Sequence, residues 1–313
     1  MSKQTVNIGS SANDGTGSPI RTAFEICNDN FTELYSSGTT ALAFKIEGTD
    51  FTGSLIVGHS TTGTLSAATY NTALGIGAMD AITSGDNTVA IGFNAGTNIT
   101  TGSSNILIGA YTGDALVGGG SNVAIGYAAL TTEDGHGANV AVGFQALYAQ
   151  NAGADAYNVA VGYNAGVAVT TGTSNTLIGG FAGDALTTGL YNIAIGRNAL
   201  SAEDAHGYNI AIGAFALLNQ DAGVDAYNVA IGHQAGTAIT TGANNVFIGG
   251  EAGDAITTGS GSVAIGREAL STEDAGGGAV AIGYQALQDQ DGGDTFNVAI
   301  GYRAGRNVTT GVN

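Results

Sequence analysis

The stretch Asn228-Val-Ala-Ile-Gly232-His-Gln-Ala235 decides the fold, because the chain writes it again and again. Near copies stand at Asn122 to Gly126, Asn139 to Gly143, Asn192 to Gly196 and Asn297 to Gly301. With the closing glycine as marker, the series is Gly92, Gly109, Gly126, Gly143, Gly162, Gly179, Gly196, Gly213, Gly232, Gly249, Gly266, Gly283 and Gly301. The steps between markers are 17, 17, 17 and 19 twice over, then 17, 17, 17 and 18. A short period nested in one of about 70 residues means stacked, near-identical units, and hence a rod.

Within each unit the residue before the marker is Ile or Val, and the residue three before it is Val or Ile except at Thr176. Alternation with period two predicts a strand, and apolar residues at every position predict one covered on both faces. Ala three residues after the glycine recurs in all units but the one with Thr112. That spacing predicts a second short strand after a turn that the glycine permits. Thr100-Thr-Gly102 and its repeats then close the loop. The expected fold class is all-β: a parallel β-roll or β-solenoid of about 17-residue coils, each with two strands and two turns.

Such a coil cannot bury its own face, so stacking at about 4.8 Å per coil is obligatory. Thirteen marked coils and a degenerate pair around Gly58 and Gly77 predict a rod of roughly 70 Å. A hexapeptide solenoid, whose coils divide by six, does not fit steps of 17 and 19. If Val and Ile fill the coil, the Ala between them faces outward. Ala90, Ala124, Ala160, Ala194, Ala230, Ala264 and Ala299 would then form a stripe along which sister chains approach, most simply as a parallel homotrimer. The Asn four residues before the marker predicts a stacked amide column.

Composition excludes several functions. The net charge is −18 with only seven Lys and Arg, which disfavours nucleic acid, whose affinity is drawn from those residues. No apolar run is long enough for a membrane-inserted helix, and Met1-Ser-Lys-Gln-Thr-Val-Asn7 lacks a secretory apolar stretch. A single cysteine, Cys27, cannot form an intramolecular disulfide. These features fit assembly in a reducing cytoplasm.

Residues 1–36 read differently from the repeats. Ser18-Pro19 offers a cap and a first-turn proline, and Ile20, Phe24, Cys27, Phe31 and Leu34 follow with heptad spacing. A short helix is expected, packing through those five residues. Residues 37–70 alternate as a β connector, and 71–313 form the shaft.

Two resemblances rest on these residues. The Val-Ala-Ile-Gly-x-x-Ala unit resembles the head repeats of trimeric autotransporter adhesins, which implies a left-handed parallel β-roll with three chains to a head. Gln4-Thr-Val-Asn-Ile-Gly9, Asn13-Asp-Gly-Thr-Gly17, Arg21-Thr-Ala-Phe24 and Asn28-Asp-Asn-Phe31 resemble the opening segment of tailed-phage fibre and baseplate-associated virion proteins. That resemblance implies attachment to the particle through the amino-terminal segment. An autotransporter needs a secretion signal and a carboxyl-terminal barrel, and neither pattern stands in these 313 residues. The expectation is therefore a trimeric tail fibre or spike of the virion, assembled in the host cytoplasm. Its partners would be other virion proteins at the amino terminus and at the far end, and a host cell-surface glycan or protein.

Chemistry is sparse. No Ser-His-Asp order, phosphate loop or dinucleotide fingerprint occurs, so no enzyme and no cofactor is expected. Of the histidines His59, His136, His206 and His233, none has a second His or a Cys near it in sequence, which argues against zinc. The acidic loops Glu133, Asp134 and Asp155, and Glu203, Asp204 and Asp225, sit on adjacent coils and are the candidate calcium ligands. Aromatic residues just after the marker, Tyr127, Tyr163, Tyr284 and Tyr302, are the candidate receptor contacts, with self-stacking as the structural alternative.

Overall fold

The computed structural model describes residues 44–48, 51–57, 66–272, 275–291 and 296–309. The expected amino-terminal helix lies outside them. Strand β1 (Phe44–Gly48) pairs antiparallel with β2 (Phe51–Val57). Fourteen three-residue strands follow, from β3 (Thr72–Leu74) to β16 (Val298–Ile300), and all join one sheet in chain order. From β2 onward every pairing is parallel and in register, as in Ile193 opposite Ile210, Ala194 opposite Ala211 and Ile195 opposite Ile212. The protein is an all-β parallel solenoid, and no helix occurs among the described residues. Its coils repeat at the short period seen in the sequence, as from Asn175 to Asn192, with the longer step from Asn139 to Asn158.

Stacking starts at the first of the two degenerate coils, but the marker of the second is displaced. β2 pairs with β3, and the glycine that follows β3 at the marker position is Gly75, one short period before Gly92, rather than Gly77. Fifteen strands in parallel span roughly 67 Å at the usual interstrand spacing.

The second strand expected in each coil does not form. After the marker the chain makes two successive turns, closed by Ala95 N–H to Gly92 C=O (3.4 Å) and Ile99 N–H to Gly96 C=O (3.1 Å). The reason is dihedral: the residue two past the marker is left-handed, as at Asn94 (φ 55), Gln145 (φ 52) and Phe181 (φ 60), and so is the residue four past it. Extended backbone is incompatible with that alternation. Coil-to-coil bonds continue through the turns, as from Gly96 N–H to Thr112 C=O at 2.9 Å.

The marker glycine is required twice over. Its φ lies between +131 and +147 along the column, a region that L side chains rarely adopt. A Cβ at Gly196 would also stand 2.5 Å from both the carbonyl carbon and the oxygen of Gly213, one coil on.

The core reverses one expectation. Ala90, Ala124, Ala160, Ala194, Ala230, Ala264 and Ala299 are buried inside the chain's own coils, while the Val and Ile that flank them face outward and are half-buried or exposed. The alanine stripe is therefore not a surface, and these residues are not available for packing between chains. The cause is the thinness of the coil. The Ala three past the marker is buried in the same core in every coil but those of Thr112 and the half-buried Ala304, and two facing walls that close leave room for little more than methyl groups.

Where the strand carries a larger residue, glycine makes the room. Leu107 lies between Gly96 and Gly113, where a Cβ would come within 2.7 and 3.0 Å of it. Leu177 lies likewise between Gly166 and Gly183, and Phe247 between Gly236 and Gly253. In the third and fourth coils of each repeat the position of those glycines is Leu instead: Leu130 and Leu147, Leu200 and Leu217, Leu270 and Leu287, all buried.

The asparagine column is a hydrogen-bonded spine. Each Oδ1 accepts from the backbone N–H of the same position one coil on, as from Asn192 to Asn175 (2.9 Å) and Asn245 to Asn228 (2.9 Å). Most Nδ2 groups close their own coil by donating to a carbonyl fourteen residues later, as Asn175 does to Gly189 at 2.9 Å, whereas Asn139 Nδ2 and Asn209 Nδ2, which precede the lengthened loops, are buried without a partner. Buried backbone groups at the turn are satisfied in this way without water.

Candidate functional site

Three surfaces of the solenoid carry chemistry. The first is the outward face of the parallel sheet. Two columns of Val and Ile run along it, one from Val89, Ile106 and Val123, the other from Ile91, Ile108 and Ile125. Some members are well exposed, such as Ile106 at 42% and Ile300 at 68%. Over the length of the sheet, two side-chain columns make an apolar strip on the order of 700 Å². That is at or beyond the largest patch usual for a monomer.

The second surface is aromatic. Rings from consecutive coils touch in the unbroken order Phe93, Tyr111, Tyr127, Phe144, Tyr163 and Phe181, with centroids 5.0 to 5.9 Å apart, edge-to-face at the first two pairs, stacked at the next two and tilted at the last. The column survives a small residue after the marker because the next residue supplies the ring: Tyr111 follows Ala110, and Phe181 follows Gly180. Farther along, Arg197 lies over the Phe215 ring at 5.7 Å, and Tyr284 stacks on Tyr302 with Arg303 over both. Of the four candidate contacts, Tyr127, Tyr163 and Tyr302 are exposed and Tyr284 is half-buried between its neighbours. A second ladder, Tyr191, Tyr208 and Tyr227, lines the turn before the asparagine spine.

The third surface is the set of acidic loops. Seven residues after the marker the chain points inward, and in the first two coils of a repeat that position is aliphatic: Ile99 and Leu116, Val169 and Leu186. In the third coil it is Glu133 or Glu203 and in the fourth Gln150 or Gln220, all fully buried. The glutamines are paired, with Asn158 Nδ2 donating to Gln150 Oε1 at 2.7 Å and Asn228 Nδ2 to Gln220 Oε1 at 2.6 Å. The glutamates accept a backbone bond, from His136 N–H at 3.1 Å and His206 N–H at 3.0 Å. Burial pushes both carboxyls above the usual range, against the opposing pull of the adjacent histidine.

The calcium set expected from sequence is rearranged. Asp155 Oδ1 and Asp225 Oδ1 accept from Gly137 N–H and Gly207 N–H, each at 3.0 Å, and so tie the long fourth-coil loop to the third coil. They belong to neither cluster. The clusters that do form are Glu133, Asp134 and His136, and Glu203, Asp204, His206 and Asp221. Spacing along the chain does not join the histidines and Asp221 to the glutamates; coil closure does. The signal was present: His136 and His206 stand one long repeat apart, each three positions beyond an equivalent glutamate. Ile20, Phe24, Cys27, Phe31 and Leu34 lie outside the described residues.

No family model matches this chain. No curated protein and no solved structure matches it either.

Proposed function

We propose that this chain is a structural, non-catalytic component of a phage tail fibre or spike: a rod that assembles as a parallel homotrimer and presents a host-contacting surface. The observation that carries the reading is the Val/Ile strip. A flat apolar face roughly 67 Å long, flanked by an acidic and sparsely charged surface, favours lengthwise association of identical copies. The seam of such a trimer is this strip rather than the buried alanines. The aromatic column faces elsewhere and supplies planar amphipathic contacts for a host glycan or protein. The resemblance of residues 4–35 to virion attachment segments supplies the phage context, with the amino-terminal segment docked on another virion protein.

Sedimentation equilibrium of the full chain tests the assembly. A trimer mass is expected, and Ile195→Lys with Ile212→Lys on the strip is expected to release monomers. A monomer at all concentrations would sink the trimer. Mass spectrometry of purified phage particles then asks whether the chain is a virion component. The repeat unit itself favours a second reading, the head fragment of a bacterial trimeric adhesin. Recovery of the chain from bacterial outer membranes, and not from particles, would favour that one.

A further inference from the structure

We propose that the second long repeat binds one divalent first-row transition ion through Glu203, Asp204, His206 and Asp221. One candidate ligand atom from each of the four lies within 4.8 Å of all the others. A group of surface acids alone would be unremarkable, and Glu203 sets this one apart. Its side chain is 0% exposed, its Oε2 has no hydrogen-bond partner, and the neighbouring His206 Nδ1 is also buried without one. Among the described residues no Lys or Arg pairs with Glu203. A buried carboxylate oxygen without a partner is costly, and a coordinated cation would neutralise it and fill its empty position.

The donor set narrows the ion. Imidazole is a poor ligand for calcium or magnesium, which take oxygen, and a good one for zinc and its neighbours. Glu203 Oε1 stands 3.4 Å from His206 Nδ1. Two ligands of a tetrahedral ion, each about 2.1 Å from the metal, are separated by about that distance. The scaffold beneath is fixed: Thr188 N–H donates to Asp204 C=O, Asn192 Nδ2 to His206 C=O, and Asp221 N–H to Thr240 C=O. Three ligands follow marker Gly196 and the fourth follows Gly213, so one ion would staple two consecutive coils at the start of the lengthened fourth one.

The repeats supply an internal comparison. The first has Glu133, Asp134 and His136, with Glu133 Oε1 3.8 Å from His136 Nδ1, but Asn151 replaces the fourth ligand. The third keeps Asp291 but has Gly276 where the histidine belongs. The second repeat alone holds all four.

The test uses the full chain, treated with chelator and dialysed. Calorimetric titration with Zn²⁺ is expected to show one tight event per chain, with a weaker one from the first repeat. Co²⁺ is expected to give the visible absorption of a low-coordinate nitrogen–oxygen site. His206→Ala and Asp221→Asn should each weaken the tight event by about tenfold or more, leaving the melting temperature of the metal-free protein where it was. Asp221→Asn copies what the first repeat already carries, so a folding failure there is not expected. No Zn²⁺ uptake would overturn the proposal, as would uptake unchanged in the double variant. Ca²⁺ binding of equal strength and indifferent to His206→Ala would overturn it too. In any of these cases Glu203 would be a purely structural side chain.

Discussion

Replacing Gly196 by Ala isolates the rule that makes this chain stack. Two costs are expected. The first is dihedral, since φ at Gly196 is +139, and strain of this kind is worth about 1–3 kcal/mol. The second is steric. The new Cβ would sit 2.5 Å from the Gly213 carbonyl, and ordinary contact begins at 3.4 Å, so the two coils must part by about 0.9 Å. The obstacle is backbone and has no rotamer to escape into. The ladder bonds on either side, Gly213 N–H to Ile195 C=O at 2.7 Å and Ile193 N–H to Asn209 C=O at 2.9 Å, would be stretched past hydrogen-bonding length. Two or three such losses at about 1 kcal/mol each bring the expected destabilisation to about 3–6 kcal/mol.

Two control glycines separate the terms. Gly301 has φ +131, yet its Cβ would meet only Ala304 Cβ at 3.9 Å, and Gly223, at φ +68, would meet nothing within 4 Å. Ala at either should cost the dihedral part alone. Urea unfolding of all three variants, with hydrogen exchange on the amides of residues 193–212 to catch local opening, reads the difference. If Gly196→Ala proves no worse than Gly301→Ala and Gly223→Ala, contact between successive glycines is not what enforces the column.

Asn175→Ala should strand Asn192 N–H and Gly189 C=O and cost about 2–5 kcal/mol in urea unfolding. A loss no larger than that of an ordinary surface substitution would mean the spine is dispensable. Phe247→Ala should cost about 4–5 kcal/mol, because Gly236 and Gly253 have no side chains to collapse into the void. Adding Gly253→Ala should cost less in that background than in the parent, where the new Cβ meets the Phe247 ring at 2.6 Å, and additive effects would deny the pairing. Burial first, and the charges of Glu251 and Glu268 second, push the Asp254 carboxyl up to about 6 from 3.8. The fold thus prefers the protonated acid, whose contribution is complete below about pH 4 and lost as pH rises through about 6. Partial exposure reduces the expected loss to about 1–2 kcal/mol. Asp254→Asn should remove it, so parallel stability–pH curves for parent and variant would count against a buried acid.

The period, the strand within it and the amide spine were legible because each is a repetition that tolerates little change. Which face of the strand lies inside was not. Val-Ala-Ile is apolar at all three positions, and alternation says that two faces differ without saying which is enclosed. The deciding signal was a covariation inside the one sequence: Leu107, Leu177 and Phe247 each come with glycine both eleven residues before and six residues after. A bulky side chain matched by two missing ones is a steric trade, and it places that column indoors. The missing second strand has a similar cause, since Asn94, Gln145 and Phe181 betray their left-handed backbone only weakly by residue type. Glu203, His206 and Asp221 were scattered by a loop whose closure depends on coil-to-coil bonds, which sequence spacing does not measure.

The pairing of large residues with glycines also limits how such a rod can change its reach. Excising a single coil, say that of Leu107, would bring side chains against walls cut for a different partner, whereas excising or duplicating a whole long repeat returns every fitting to its mate. Recombination between repeats should therefore lengthen or shorten the molecule in increments of roughly 19 Å, and intermediate lengths should be rare among the products that fold. The ruler has only its major divisions.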